Sequence, residues 1–294
     1  MAQQRFRVSN LNGMWLRSAP EVSEATQKVL LPNGQLVEKL AETEKPAWWQ
    51  IRTTVDNAVV EGFSNNTLMV PEGEPGNMST LLEKTVTAIK KISPGARSVY
   101  LDAIREGGPL FEAHGITTPV RMSHFIAQAM QETGGFTVLR ESMNYSVQRM
   151  LEIFGVGQHS AKIKASEAPS FAHKEEALAE RVYGLGNPTK SHELGNTQPG
   201  DGFRYRGNGF FQTTGRGAHR RFGLAFGLDF ENNPELVTVR EHILKPALKE
   251  WSDNNLNPLA DQGKIVTITQ KINGGTNGLE ERKDFLAKLR HHLS

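Results

Sequence analysis

The chain of 294 residues contains no cysteine, which excludes disulfides, thiolate nucleophiles and cysteine-based zinc sites and leaves the redox compartment open. Stability must therefore come from packing. No run of about 18 apolar residues occurs, so no membrane span is expected. The opening stretch MAQQRFRVSN lacks the apolar segment of a signal peptide, and no signal peptide is expected. Internal repeats and low-complexity tracts are absent as well. The formal net charge is only +2, too weak an excess to argue for nucleic acid. Residues 1–78 carry seven Lys/Arg against nine Asp/Glu, so the basic excess lies in the remainder, where it suits an anionic polymer such as a cell wall. There are nine histidines, but no HExxH or comparable ligand cluster, so neither a metal nor a cofactor is expected. His124, Gln128 and Glu132 share one helix face, with His124 read as a packing or hydrogen-bonding residue.

From Phe6 to Val70 the chain consists of short alternating runs, MWLRSAP, KVLLPNGQLVEKL, WWQIRTTV and VVEGFS, broken by turn residues. This pattern predicts a small all-β barrel or sandwich, with Pro32-Asn33-Gly34 as a hairpin turn. In an alternating strand only one of Trp48 and Trp49 can face the core; the other either stacks on a sugar or peptide or covers the barrel edge. Pro71 to Asn77 is rich in proline and glycine and reads as a linker. The expected domains are a β module over 1–72, a linker over 73–78 and a helical domain over 79–294. Periodicity places helices at about 80–92, 96–106, 118–132, 144–154, 171–183, 234–253, 264–273 and 279–292. Those at 144–154 and 171–183 are read as scaffold, and 184–209, dense in Gly, Asn and Pro, as a long irregular binding loop.

Three segments carry candidate chemistry. The first, Thr118 to Glu141, is a helix ending at Glu132 and stopped by Gly134 and Gly135, two glycines that would let a ligand approach the backbone. Glu141 follows nine residues later. An inverting glycosidase needs such a pair, an acid to protonate the leaving oxygen and a base to activate water, at carboxyl separations of about 6.5 to 9.5 Å. On spacing alone, two such glutamates are usually surface charges. The second segment, Tyr205 to Arg216, alternates glycines with aromatics and then presents Gln212, Thr213 and Thr214, as a polar-chain binding loop or a structural turn would. The third, Ile272 to Gly278, contains Asn273, a possible helix cap. Arg204, Arg206, Arg216, Arg220 and Arg221 concentrate basic charge near the proposed groove, most as structural residues, with one or two placed to meet carboxylates.

In their joint order over roughly residues 95–292, these segments resemble glycoside hydrolase family 19, the chitinases and related phage endolysins. The motifs are Phe125-Ile126-Ala127-Gln128 leading to Glu132-Thr133-Gly134-Gly135, Glu141-Ser142-Met143-Asn144-Tyr145-Ser146, Tyr205-Arg206-Gly207-Asn208-Gly209 with Gln212, and Ile272-Asn273-Gly274-Gly275. The resemblance implies a lysozyme-like α-helical fold and metal-free, inverting hydrolysis of β-1,4-linked N-acetylhexosamines. Glu132 matches the family's general acid, and Glu141, in a segment of the endolysin type, its general base. Thr214 falls where a Ser or Thr helps hold the water, and Gln212 and Asn273 at sugar-binding positions. Tyr145 and Arg206, inside the matched motifs, are expected at the substrate. Gln131 stands where the family often has His, and His219 near where Tyr is common. By role, Glu132 is expected against apolar helix residues that keep it protonated, and Glu141 in a more solvated, ionised setting.

In the β region, Leu16-Arg17-Ser18-Ala19-Pro20, Leu31-Pro32-Asn33-Gly34, Trp48-Trp49-Gln50-Ile51 and Glu61-Gly62-Phe63 are similar to the recurring pattern of bacterial SH3-like domains. Such domains commonly bind wall polymers, which makes Trp48 and Trp49 the candidate contacts. The expected whole is mainly α, a lysozyme-like helical catalytic domain preceded by a small all-β SH3-like barrel. It is read as a monomeric peptidoglycan hydrolase of the muramidase-type endolysin class, acting on glycan strands. It would be made in a host cytoplasm and reach the periplasm or wall through a holin or secretion device. The alternatives are an endochitinase, a secreted antibacterial effector, and a non-catalytic wall-binding protein.

Overall fold

The computed structural model describes residues 4–8, 13–32, 34–71 and 77–293. It divides into two compact units, Met1–Leu82 with Gly108–Thr118 and Glu83–Gly107 with Pro119–Ser294.

The first unit contains β1 (Arg5–Val8), β2 (Met14–Arg17), β3 (Gln27–Leu31), β4 (Leu36–Glu42), β5 (Trp48–Val55), β6 (Ala58–Asn65) and β7 (Met69–Pro71). They form one antiparallel sheet in the order β3-β2-β6-β5-β4-β1-β7. Alternation along the strands sends Phe6 and Val8, Met14 and Leu16, and Leu31, Val37 and Ile51 into one apolar core. Strands β5 and β6 are joined by Asp56-Asn57, both at left-handed φ of 49° and 65°, as the tightest hairpin turn demands.

The expected hairpin at Pro32-Asn33-Gly34 does not form. Asn33 lies outside the described residues, and the strands flanking it, β3 and β4, do not pair with each other. Gln35 N–H closes a turn onto Pro32 O at 3.1 Å, while Gly34 N–H goes to Val8 O at 2.8 Å. The turn therefore hands the chain over to β1, which pairs with β4. Trp48 is buried and Trp49 half-buried. Trp49 has the Phe6 ring 4.7 Å away and Lys39 Nζ 4.3 Å above it.

The helices are α1 (Asn77–Ile92), α2 (Ser98–Glu106), α3 (Gly108–Ala113), α4 (Pro119–Glu132), α5 (Val147–Phe154), α6 (Glu175–Tyr183), α7 (Pro188–Leu194), α8 (Asp201–Arg204), α9 (Arg216–Phe226), α10 (Leu244–Asp253), α11 (Asn257–Asp261), α12 (Ile265–Asn273) and α13 (Leu279–Leu293). The division between units falls inside α1, and α3 goes with the sheet. Of the expected linker, residues 73–76 lie outside the described residues, and Asn77 and Met78 open α1. The stretch 184–209 is not a continuous irregular loop. It contains α7, started by Pro188 and capped by the Asn187 side chain on Lys190 N–H, and the short α8.

Helix α4 is the centre of the second unit. Every residue from Met122 to Met130 is buried, so the helix is walled in on all sides. It ends because Thr133 Oγ1 donates to Ala129 O at 2.6 Å and accepts from Phe136 N–H at 2.9 Å, after which Gly134, Gly135 and Phe136 all take positive φ. The second glycine is demanded by packing rather than by ligand approach. A Cβ there would stand 2.6 Å from Ser93 Oγ, which donates to Gly135 O at 2.7 Å.

An aromatic cluster fastens distant segments to this helix. Phe125 packs on Phe210, Phe211 and Trp251 at centroid distances of 5.4, 5.1 and 5.4 Å. Phe136 lies 5.1 Å from Phe210 and 4.9 Å from Tyr100. Such pairs add to area burial, and here they seat the Tyr205–Arg216 segment against α4 and the turn that follows it.

Candidate active site

Glu132 closes α4 and is held by a partner from the far end of the chain. Arg282 of α13 is 2 % exposed and donates through Nη2 to Glu132 Oε1 at 2.5 Å and through Nη1 to Gln128 Oε1 at 2.7 Å. Gln128 lies one turn before Glu132 on the same face and reaches Thr269 Oγ1 of α12 at 3.4 Å. The expected apolar surround of Glu132 is therefore corrected, since a buried guanidinium occupies that place. Glu250 of α10 is also within electrostatic reach. Burial, then the neighbouring charges of Glu132 and Asp253 against that of Arg221, leaves its carboxyl raised to about 7. Gln131 covers Gly278, where a Cβ would come within 2.4 Å of its Nε2.

Glu141 sits in the connection after the α4 turn, locked to the Tyr205–Arg216 segment by backbone. Its N–H donates to Gly207 O at 2.7 Å, and Arg206 Nε donates to its carbonyl at 3.0 Å. Arg140 and Asn208 form an antiparallel bridge beside it. The carboxylate accepts from Tyr183 Oη at 2.9 Å and from Gly207 N–H at 3.4 Å. Burial pushes the Glu141 carboxyl up, and the Tyr183 hydrogen bond, the Gly207 N–H and the Arg206 charge pull it back. The more solvated setting expected for Glu141 is thus also corrected.

Gly207 is where the polar atoms converge. A Cβ there would stand 3.0 Å from Gln212 Oε1, 3.3 Å from Thr214 Oγ1 and 3.4 Å from Glu141 Oε2. Only a residue without a side chain leaves these three oxygens facing a common space. Thr214 donates to Gln212 O at 2.8 Å, and Gln212, held at φ 48°, donates to Gly209 O at 3.1 Å. Burial and the Glu141 charge both raise the Tyr145 phenol.

The structure therefore gathers Glu141, Thr214, Gln212, Arg206 and Tyr145 at one pole and Glu132 at another. Asn273, last residue of α12, follows Thr269 by one turn, and its Nδ2 is buried without a partner among the described residues. Trp48 and Trp49 belong to the sheet unit. Arg206 is occupied, donating to Glu141 O and, at 2.7 Å, to Phe203 O while stacking 3.7 Å over the Phe203 ring.

Two partners escaped the sequence reading. Tyr183 ends α6, whose sequence reads as scaffold, and nothing local marks it. Arg282 had a signal, because it shares a stripe at helical spacing with buried Leu286, Leu289 and Leu293, and a charge on a buried stripe is rarely idle.

No protein-family model matches the chain. Among curated proteins it is 32 % identical over 208 residues, covering 69 % of this chain and 93 % of the relative, to a glycosyl hydrolase family 19 domain-containing protein of Haemophilus influenzae. Solved structures similar to it include chitinase C from Streptomyces griseus, at 16 % identity, TM-score 0.45 and coverage of 83 % of this chain and 88 % of that one. A family 19, class IV chitinase from Zea mays follows at 16 % identity, TM-score 0.36 and coverage of 76 % and 86 %. Likenesses that low add nothing to the assignment, which rests on the Haemophilus relative. By that relative's identity and coverage, the chain belongs to glycoside hydrolase family 19.

Proposed function

We propose that this glycoside hydrolase cuts β-1,4 bonds between N-acetylated amino sugars of bacterial peptidoglycan, with inversion. The supporting observation is the convergence of the Glu141 carboxylate and the Thr214 hydroxyl on Gly207. A base that must hold and deprotonate a water needs that pairing of acceptors. Tyr183 and the Gly207 N–H favour the ionised form the base requires, against the burial that opposes it. Glu132 supplies the proton to the leaving oxygen. Arg282 holds its Oε1, which leaves Oε2 as the oxygen to meet the leaving group. Gln212, Asn273 and Tyr145 line the sugar-binding face, and Arg206 acts by holding the Glu141 backbone.

The β module, similar to bacterial SH3-like domains, serves as the wall-binding part, with Trp49 its half-buried aromatic. A wall-targeting module beside a hydrolase favours peptidoglycan over chitin, and an endolysin or a secreted effector as the biological setting. In that setting the protein is made in the cytoplasm and acts on the wall after release. Mass spectrometry of digested peptidoglycan tests this reading. New reducing-end sugars are expected, and their identity names the bond as muramidase or glucosaminidase type. Cleavage of chitin oligomers with none of peptidoglycan would make the protein an endochitinase, and cleavage of neither a binding protein.

A further inference from the structure

On the helical unit, against the backbone stretch that carries Glu141, lies a cavity of about 530 Å³ lined by Arg97, Thr137, Val138, Leu139, Arg140, Ser142 and Thr238. Two arginines and no acidic residue face it. Among the described residues neither guanidinium has a carboxylate within ion-pair distance, whereas nearly every arginine singled out in the sequence is already engaged. Arg204 donates to Asn232 O, Arg216 pairs with Asp201 and Glu231, Arg220 lies 3.8 Å from Glu231, and Arg221 stacks on Phe222.

Both free arginines are rooted in fixed backbone. Arg97 N–H donates to Phe136 O at 3.0 Å, and Arg140 pairs in register with Asn208. Ser142 Oγ accepts from Asn144 N–H at 3.2 Å, so its own hydroxyl proton remains available to donate. Val138 and Leu139 add an apolar wall. Two unpaired guanidiniums, a hydroxyl donor and an apolar wall are a receptor for a carboxylate borne on a short aliphatic group.

We infer that the Arg97–Arg140 cavity binds a carboxylate of the peptide stem carried by the glycan. This rests on the peptidoglycan reading. Arg140 and Ser142 line the cavity and each is one residue, about 3.8 Å of backbone, from the proposed base, so an anion held there belongs to a part of the strand within reach of the bond being cut. In a chain of N-acetylated amino sugars the lactyl-linked peptide is the anionic appendage, and chitin has none. The cavity therefore makes the enzyme selective for stem-bearing strands.

The test compares the full chain with Arg97→Gln and Arg140→Gln on peptidoglycan and on the same material stripped of stems by an amidase, with the lactyl carboxylates that this hydrolysis exposes capped as methylamides. Wild type should favour the stem-bearing substrate. Each variant should reduce that preference about fivefold to tenfold, through KM rather than kcat, the scale of one partly exposed charge-assisted hydrogen bond. In calorimetry a free stem tetrapeptide should bind wild type and lose affinity for Arg97→Gln. Equal wild-type turnover of the two substrates, or variants that keep the preference, would overturn the inference while leaving the peptidoglycan reading intact. If neither substrate is cut, that reading falls, and the tetrapeptide decides the cavity alone: binding that Arg97→Gln abolishes supports it, and no binding overturns it.

Discussion

Glu132 and Glu141 lie nine residues apart in sequence, yet the fold holds them by opposite means. Glu132 rides on a rigid, buried helix and is fixed by a single guanidinium from 150 residues away. Glu141 rides on an irregular connection and is fixed by backbone pairing to Gly207, a phenol and a neighbouring arginine. One pole is built from charge inside a packed core, the other from many weaker bonds to a loop. The difference teaches where each function can be tuned. In the proposed mechanism the position of Glu132 depends on one ion pair, and that of Glu141 on the number of donors its carboxylate keeps.

The largest effect should come from removing either carboxylate. Glu132→Gln, which keeps shape and loses the proton, should lower kcat by about 10³-fold or more, with circular dichroism unchanged. Glu141→Gln should cost somewhat less, about 10²- to 10³-fold, because Thr214 still orients the water. Wild-type-like turnover by Glu132→Gln in a turbidity assay would remove it as the acid and break the comparison.

Next in size is Tyr183→Phe. Burial raises the Glu141 carboxyl and Tyr183 lowers it, so losing the phenol should raise it further. The base works ionised, and activity fails as pH falls through its value. The acid limb of kcat/KM should therefore move to higher pH, with turnover near neutrality down about tenfold, the scale of one charge-assisted hydrogen bond. A profile that keeps its acid limb would place Tyr183 outside the tuning of the base.

The smallest effect concerns the inner end of the acid's helix. His124, two turns before Glu132, is fully buried, and neither ring nitrogen has a hydrogen-bond partner among the described residues. Burial, helped by Arg290 and opposed by Asp261, lowers its pKa to about 4. The fold accepts only the neutral ring, so the stability it permits above the ordinary histidine value is lost as pH falls from about 6.5 toward 4, by at most about 1.4 kcal/mol per unit. His124→Leu should flatten that part of the stability curve and raise the melting temperature at pH 5 relative to wild type. A curve parallel to wild type would show that other groups set the acid limit.

Much of this was legible in the sequence because it is local. The α4 pattern with Pro119 at its start and two glycines at its end gave a helix whose bounds the structure matches, and the joint order of the motifs pointed to the family. What stayed hidden is non-local. Nothing around Leu31 to Gly34 reveals that β1 intervenes where a hairpin reads naturally, and nothing near Tyr183 announces a partner 42 residues earlier. The surroundings of the two glutamates are hidden for the same reason, because a carboxyl's environment is set by what packs on it from elsewhere. The β5–β6 turn is local by contrast, since two consecutive residues suited to left-handed φ, Asp56-Asn57, mark a tight hairpin.

The ion pair between Glu132 and Arg282 also bears on how the protein comes to be folded. Contacts spanning 150 residues, with Tyr100 reaching Gly209 across 109, form only when long loops close, and that closure costs entropy before the contacts return stability. A fragment that stops before α13 carries Glu132 without its guanidinium and leaves one wall of α4 uncovered. The setting proposed for the acid is thus a property of the finished chain, acquired only when residues 150 positions apart meet.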